Sequence, residues 1–371
     1  MKYFIFLIIN LLLINVLVNA AFQTSIFRET NDDFIGENVC VSPLSIFQVL
    51  GLTTNGGKGE TQEQMVSALE ANSLENLNSI NLNILQTINQ FETVELANGV
   101  MTTFEPTKMF LKMCIKYEAA IEPLISVDQV NEWCEEKTHG KITKILDELQ
   151  ADTSMLLLNA VYFNATWQHK FEHSDTYPGD FYVDSTVTKK VDFMHQTTYF
   201  KYYEDNSVKV VELPYTKDST SAIVILPKEK TDLNTYLKSL DDEVLNTMLA
   251  GLSSKRVRLS LPKFQIEFKN KYKGILMRLG MIKAFKTDAD FRNLRCYGGI
   301  FVNDVIHKTF LKVDEDGTEA AAVTIVEMLD TALPPTNLVI MNVNRPFIFL
   351  IRSTKLPKNN DLLFMAKVVD I

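Results

Sequence analysis

The chain has 371 residues, of which 46% are hydrophobic and 22% charged, and a formal net charge of −9. An acidic balance of this kind argues against nucleic acid or another polyanion as partner. The length is generous for an ordinary domain but is allowed for one large mixed fold with an extensive core.

Lys2 gives a positive start, Tyr3 to Val18 is almost wholly apolar, and Val18-Asn19-Ala20 is an acceptable small-residue cleavage site. Residues 1–20 therefore read as a signal peptide, and the protein is expected to be secreted, extracellular or in the lumen of a secretory compartment. Cleavage after Ala20 leaves 351 residues and shifts the charge from −9 to −10, because Lys2 goes and no acid goes with it. No later stretch approaches the roughly 20 apolar residues of a membrane span, so no membrane partner is expected. Residues 21–371 read as a single domain, since neither an internal repeat nor a low-complexity linker divides them.

In chain order, the spacing of apolar residues and breakers predicts helices over Ser42–Thr53, Thr61–Leu69, Leu77–Phe91, Thr107–Tyr117 and Val127–His139. Further helices are predicted over Asn234–Ser239, Asp241–Leu249 and Asn270–Leu279. Strands are predicted over Thr93–Met101, Ser154–Asn164, Thr186–Met194, Lys209–Leu213, Ser221–Leu226 and Val257–Pro262. Others follow over Ile300–Val313, Leu338–Val343, Phe347–Arg352 and Leu362–Val369. The order lacks βα alternation, so the class is α+β with large sheets. Gly56-Gly57-Lys58-Gly59 resembles a phosphate loop only superficially. Glu-Thr-Gln follows where Lys-Ser/Thr is needed, and the stretch reads as a helix stop and cap. Lys108, Lys112 and Lys116 share one helical face, but Glu105, Glu118 and Glu122 lie close by. The face reads as solvated, and a heparin partner is not expected.

The inventory for catalysis is thin. There is no HExxH, GxSxG, P-loop or dinucleotide fingerprint, so the chain is not expected to be an enzyme. His169 and His173 have i,i+4 spacing but no Glu follows His169; no metal and no cofactor are expected. Cys40, Cys114, Cys134 and Cys296 have no zinc-type spacing. Four cysteines allow three full pairings in a secreted protein, Cys40 within Val39-Cys40-Val41 reads as a buried thiol, and a set of four free thiols also stays open.

The segment from Val313 to Pro335 carries a different signal. Thr318, Ala320, Ala322, Thr324, Val326 and Met328 are all small or apolar, whereas Glu319 and Glu327 fall on the alternate positions. With a side-chain period of two, such a segment can join a sheet with a clean inner face. Gly317 ahead of it and Pro334-Pro335 behind it read as loop punctuation. A loop written in a strand pattern predicts a conformational switch.

Several blocks in order resemble the serpin family across essentially the whole mature chain. Asn344-Arg345-Pro346-Phe347 and the apolar run after it are similar to the family's C-terminal signature, and Phe364-Met365-Ala366-Lys367-Val368 to its last strand. Upstream lie Val41-Ser42-Pro43-Leu44-Ser45-Ile46, Asn131-Glu132-Trp133, and Leu158-Asn159-Ala160-Val161-Tyr162-Phe163 ahead of Trp167. Glu212-Leu213-Pro214-Tyr215, Leu261-Pro262-Lys263-Phe264 and Ala289-Asp290-Phe291 complete the set.

The resemblance implies three β-sheets, eight or nine helices and an exposed reactive-centre loop over about residues 315–337. It implies a suicide inhibitor. A target protease cuts the loop, forms an acyl-enzyme, and is trapped covalently as the loop enters the main sheet. The hinge would comprise Glu315, Gly317, Thr318, Glu319, Ala320, Ala321 and Ala322. Ser42, Ser45, Asn159 and His307 match a polar cluster that locks the closed sheet, and Trp167 an aromatic where the loop first enters. Family spacing puts the cut at Thr331–Ala332, or at Asp330–Thr331 for a loop one residue shorter. No Lys or Arg occurs from Val313 to Asn344, which disfavours trypsin-like targets. Thr331 suits an elastase-like enzyme, Met328 or Leu329 a chymotrypsin- or cathepsin G-like one, and Asp330 an Asp-specific protease. A non-inhibitory carrier, chaperone or storage role is one alternative, and inhibition of an Asp-specific or cysteine protease is another. The protein is expected to be a monomer. Residues 123–129 are shorter than the family norm ahead of the helix that crosses the sheet, and Asn164-Ala165-Thr166 is a glycosylation sequon.

Overall fold

The computed structural model describes residues 22–150, 153–318 and 338–371. The expected signal peptide and residues 319–337 lie outside them. Among the described residues there are nine α-helices. They are α1 (Phe22–Asp33), α2 (Pro43–Thr54), α3 (Glu60–Ala68), α4 (Leu74–Ile88), α5 (Lys108–Lys116), α6 (Val127–Lys137), α7 (Leu233–Ser239), α8 (Asp242–Ala250) and α9 (Lys273–Arg278). With three sheets beside them, the expected α+β architecture is present.

The largest sheet has nine strands. Its path runs β1 (Val39–Val41), β16 (Leu362–Val368), β15 (Phe347–Ser353), β9 (Thr220–Pro227), β8 (Val208–Pro214), β7 (Thr188–Glu204), β10 (Ser253–Pro262) and β14 (Val339–Asn342), with β6 (Thr176–Tyr182) on the first half of β7. The second has β11 (Phe264–Lys271), β12 (Ile306–Val313), β13 (Gly317–Thr318) and β5 (Ala165–Thr166) in that order. The third has β3 (Ala120–Pro123), β2 (Val94–Thr102) and β4 (Met155–Phe163). One apolar cluster runs from Phe22 to Val369 and joins the sheets to the helices. Helix α2 lies wholly inside it, started by Pro43 and by the Ser42 hydroxyl, which accepts from the Ser45 N–H. A Cβ on Gly51 would meet the Asn81 side chain at 2.5 Å, so glycine there lets α2 and α4 approach.

Several sequence expectations need correction: the strand expected over Thr186–Met194 runs on to Glu204 as β7, and β1, β3, β6 and β11 match none of the predicted strands. The predicted helix Asn270–Leu279 starts only at Lys273, because Phe264, Ile266 and Phe268 turn inward at period two and draw Asn270 and Lys271 into β11. The strand expected from Ile300 begins at Ile306; residues 300–305 form no strand, although Ile300, Val302 and Val305 are buried. Helix α1 was not anticipated at all. Its buried face is largely polar, and its partners are remote: Gln23 Nε2 and Thr24 Oγ1 donate to Asp242 at 3.1 and 2.7 Å.

Helix α6 and the strap after it cover the three-stranded sheet. Trp133 sits on Gly99 of β2, where a Cβ would meet the indole at 2.8 Å. A second apolar cluster beneath α6 includes Val130, Trp133, Ile142, Ile145 and Leu146 with Leu156 and Leu158 of β4. Asn131 ties the strap down: its Oδ1 accepts from the N–H groups of Ile145 and Leu146, and its Nδ2 donates to the Leu146 carbonyl, all at 2.9 Å. Asn131→Ala strands these three backbone groups. It is expected to cost about 2 kcal/mol in denaturant melts and to speed amide exchange at Ile145 and Leu146 ahead of the rest of the chain.

Candidate functional site

The chain leaving β12 turns back on itself. Asp314 N–H donates to Gly317 O at 3.0 Å, Asp316 N–H to Asp314 Oδ1 at 3.1 Å, and Val313 then pairs with Thr318. The short strand β13 thereby wedges between β12 and β5, with Gly317 opposite Thr166 and Thr318 opposite Ala165. Only glycine fits at 317, since a Cβ would lie 2.0 Å from the Ala165 carbonyl oxygen. Thr318 is fully buried and its Oγ1 is 2.6 Å from the Tyr215 hydroxyl. Of the expected hinge, Glu315, Gly317 and Thr318 are described; Glu319, Ala320, Ala321 and Ala322 lie outside the described residues, as do Asp330, Thr331 and Ala332.

Trp167 holds this turn. Its Nε1 donates to Asp314 O and its backbone N–H to Asp316 O, both at 2.9 Å, while Phe171 N–H donates to Glu315 O at 3.1 Å. The indole stacks on Tyr215 with centroids 4.4 Å apart and planes 11° from parallel. Burial pushes the Tyr215 phenol up, so it stays a neutral donor or acceptor for Thr318. Lys263 Nζ lies 2.9 Å from Glu315 Oε2, Lys170 Nζ 2.7 Å from Asp316 Oδ1, and the His173 ring 3.7 Å from each carboxylate. Burial works to raise the Glu315 carboxyl, but bonds from Lys263, the backbone and Thr176 outweigh it and hold it below the usual range. The turn therefore carries three carboxylates, Asp314, Glu315 and Asp316, which are met by Lys312, Lys263 and Lys170 respectively.

Below the wedge, β4 and β12 run alongside each other, yet no ladder joins them among the described residues. The four polar residues expected to lock this region are all buried, but they do not form one mutual set. Ser42 N–H donates to His307 Nε2 at 3.0 Å and Ser45 Oγ to Ser42 O at 3.2 Å. Asn159 instead bonds Asn98 of β2, Nδ2 to Oδ1 at 2.8 Å. His307 Nδ1 and Asn159 Oδ1 are left as buried polar atoms without a protein partner. Since Nε2 accepts, the neutral ring must carry its proton on the orphaned Nδ1.

Sequence reasoning singled out Trp167 but gave no role to Tyr215 or Lys263. Both stood inside quoted blocks; their partners, Thr318 and Glu315, are 103 and 52 residues away. Asn164 sits between β4 and β5 with its Nδ2 3.2 Å from the Tyr162 hydroxyl. All four cysteines are free thiols; Cys40, Cys114 and Cys134 are buried and Cys296 is exposed.

This arrangement defines a class: a protein whose four-stranded sheet holds, as the short strand β13, the first described residues after the turn that follows β12. Comparison with known proteins gives the family. A family model described as "Serpin (serine protease inhibitor)" matches residues 17–371, and the chain belongs to the serpin family. It is 33% identical to Iris of Ixodes ricinus over 85% of this chain and 88% of that protein. It is 29% identical to human Serpin B3 over 92% and 94% of the two chains. Among solved structures it resembles the thermophilic serpin tengpin in its native state, with 34% identity, a TM-score of 0.86 and coverage of 95% and 93%. It equally resembles human thyroxine-binding globulin, with 26% identity, a TM-score of 0.86 and coverage of 95% and 96%.

Burial pushes the His307 imidazole down to about 3. In the unfolded chain the ring takes a proton near pH 6.5, so its contribution to stability is whole above that value and is lost as pH falls toward 3. Wild type should lose about 2 kcal/mol more than His307→Asn between pH 7 and 5, read from paired denaturant melts. Equal slopes would show that the ring is not held neutral.

Proposed function

We propose that this serpin is a secreted suicide-substrate inhibitor of a serine protease of elastase-like or chymotrypsin-like preference, with residues 319–337 as its bait. The observation that carries the reading is the seating of Gly317 and Thr318 between β12 and β5, at the head of a seam with no ladder. The segment that follows keeps small or apolar side chains at every second position from Thr318 to Met328. Continued pairing down the seam would turn those side chains inward and Glu319 and Glu327 outward. Secretion rests on the signal-like residues 1–20; no helix among the described residues is long and apolar enough to cross a membrane.

In this reading the protease serine attacks the carbonyl carbon of Thr331, an ester forms, and the Thr331–Ala332 peptide bond breaks. Ala332 leaves with a new amino terminus but stays attached to the body through β14, β15 and β16, which lie after it in the chain. Residues 318–331 are then free to continue β13. Fourteen residues at about 3.3 Å each carry the esterified protease roughly 45 Å. A net of ~1 kcal/mol per new hydrogen-bonded residue, with side-chain burial, gives a drive on the order of ten kcal/mol. The absence of Lys and Arg from Val313 to Asn344 argues against a trypsin-type bait.

Mixing the purified protein with pancreatic elastase, neutrophil elastase, cathepsin G, chymotrypsin and trypsin should give SDS-stable complexes with a non-trypsin member. The released peptide should begin at Ala332 by mass. A start at Thr331 would move the bond to Asp330. Cleavage without any complex would favour a non-inhibitory serpin. Thr318→Arg places a guanidinium in a fully buried site against Tyr215 and should turn the inhibitor into a substrate. Full trapping by that variant would refute insertion as the mechanism.

A further inference from the structure

The outer face of β7, β10 and β14 is unlike the rest of this acidic surface. The register sets His195 opposite Ser260, Thr197 opposite Arg258 and Tyr199 opposite Arg256, and Ile340 of β14 beside Arg258. These side chains share one face, because the alternate positions Met194, Phe200, Leu259 and Met341 are all in the core. Tyr199 is 64% exposed, Ile340 50% and Tyr177 of β6 55%. The Tyr177 ring stacks on His195 at 4.0 Å, and His195 Nδ1 is fixed by Ser260 Oγ at 2.9 Å. Lys201, on the same face, is neutralised by Glu212 at 3.1 Å. Arg256 and Arg258 have no ion pair or hydrogen bond within the described residues.

Single exposed apolar residues need no explanation. Here two tyrosines, an isoleucine and two unpaired guanidiniums are brought together by strand register, and Tyr and Arg are the side chains that dominate protein–protein hot spots. The position of the face names its occupant. β14 begins at Val339, on the C-terminal side of the bait, so Thr331 is eight residues from its edge. Eight residues span at most about 28 Å. A protease engaged on the bait is thus tethered within reach of this face.

We propose that this face is an auxiliary docking surface for the protease held on residues 319–337. It takes an acidic, extended surface segment of that protease, with carboxylates at Arg256 and Arg258 and apolar contact at Tyr199 and Ile340. The two arginines are i,i+2 neighbours, about 7 Å apart along the strand, a spacing that carboxylates on alternate residues of an extended segment reproduce. The proposal rests on the inhibitory reading above. Such a surface acts on encounter, so it governs how fast a protease is captured. What happens after cleavage depends on the seam.

The test uses whichever protease of the same panel the wild type traps fastest, and follows the second-order rate at about 50 mM and about 300 mM salt. The double variant R256E/R258E should be slowed at least about tenfold at low salt and lose most of the salt dependence. Tyr199→Ala should be slowed severalfold at both salts, since its contact is apolar. Both should keep the wild-type stoichiometry of inhibition and melting temperature. An unchanged or faster rate for R256E/R258E overturns the proposal. So does a deficit seen only when heparin is added, which would make the face a polyanion site. If the wild type itself forms no covalent complex with any protease, the inhibitory reading fails first, and that outcome is separable from the others.

Discussion

The structure turns on two strands that lie next to each other without being joined. β4 belongs to one sheet and β12 to another, and no ladder runs between them among the described residues. An unpaired strand edge offers a row of backbone donors and acceptors to any segment able to use them. Elsewhere the described strands are drawn into ladders, to the point that β15 and β16 are almost wholly buried. At this seam the fold stops short. The turn at Asp314–Gly317 brings the chain back beside β12, and Gly317 and Thr318 are paired between β12 and β5.

What keeps the seam in this state spans it from above. The strap after α6 reaches across to the other half-sheet, where Lys308 Nζ donates to Lys144 O at 2.9 Å and Lys269 Nζ meets Asp147 Oδ2 at 2.7 Å. Hydrogen bonds from Lys269 and Lys144 hold the Asp147 carboxyl at about 2, so the bridge stays charged in any physiological medium. A strand entering between β4 and β12 would have to separate these partners by close to an interstrand spacing, about 4.8 Å. The strap is exposed and ionic where it crosses the seam and apolar where it rests on β4. Of residues 123–129, Pro123 ends β3 and residues 127–129 already belong to α6, so only residues 124–126 connect the two elements.

At the top of the seam the chemistry is of a different kind. Three consecutive acidic residues, Asp314, Glu315 and Asp316, would repel one another at a tight turn in isolation, and Lys312 on β12 meets only the first of them. Lys263 and Lys170 come to the other two from distant parts of the chain, and Trp167 takes two backbone carbonyls of the turn. Thr318 is accepted because its hydroxyl finds Tyr215; a buried polar group without a partner would cost more than its burial returns. The seating of Gly317 and Thr318 thus rests on a residue without a side chain and on a buried hydroxyl that is individually matched. The sequence keeps small or apolar side chains at alternate positions on to Met328.

Most of the architecture could be read in advance. Eight of the helices followed from apolar spacing and breakers, whereas the alternating segment after Thr318 lies outside the described residues. The failures share a cause. Helix α1 buries polar residues whose partner, Asp242, lies some 220 positions on, and β11 was hidden by a helix boundary drawn too early. In the locking cluster, the residue types were legible but the pairing was not. Asn159 turned to Asn98, its neighbour across β2, and left His307 with Ser42.

The sequence by itself determined the family, the periodicities of the strands and the absence of Lys and Arg from Val313 to Asn344, because each is a property of residues close together along the chain. Tertiary structure alone decided which lysine answers Glu315, that Tyr215 receives Thr318, that β4 and β12 stay unjoined, and that Arg256, Arg258, Tyr199 and Ile340 share one face. Those are matters of register and contact between elements tens to hundreds of residues apart, where a shift of one position reverses the face a side chain presents.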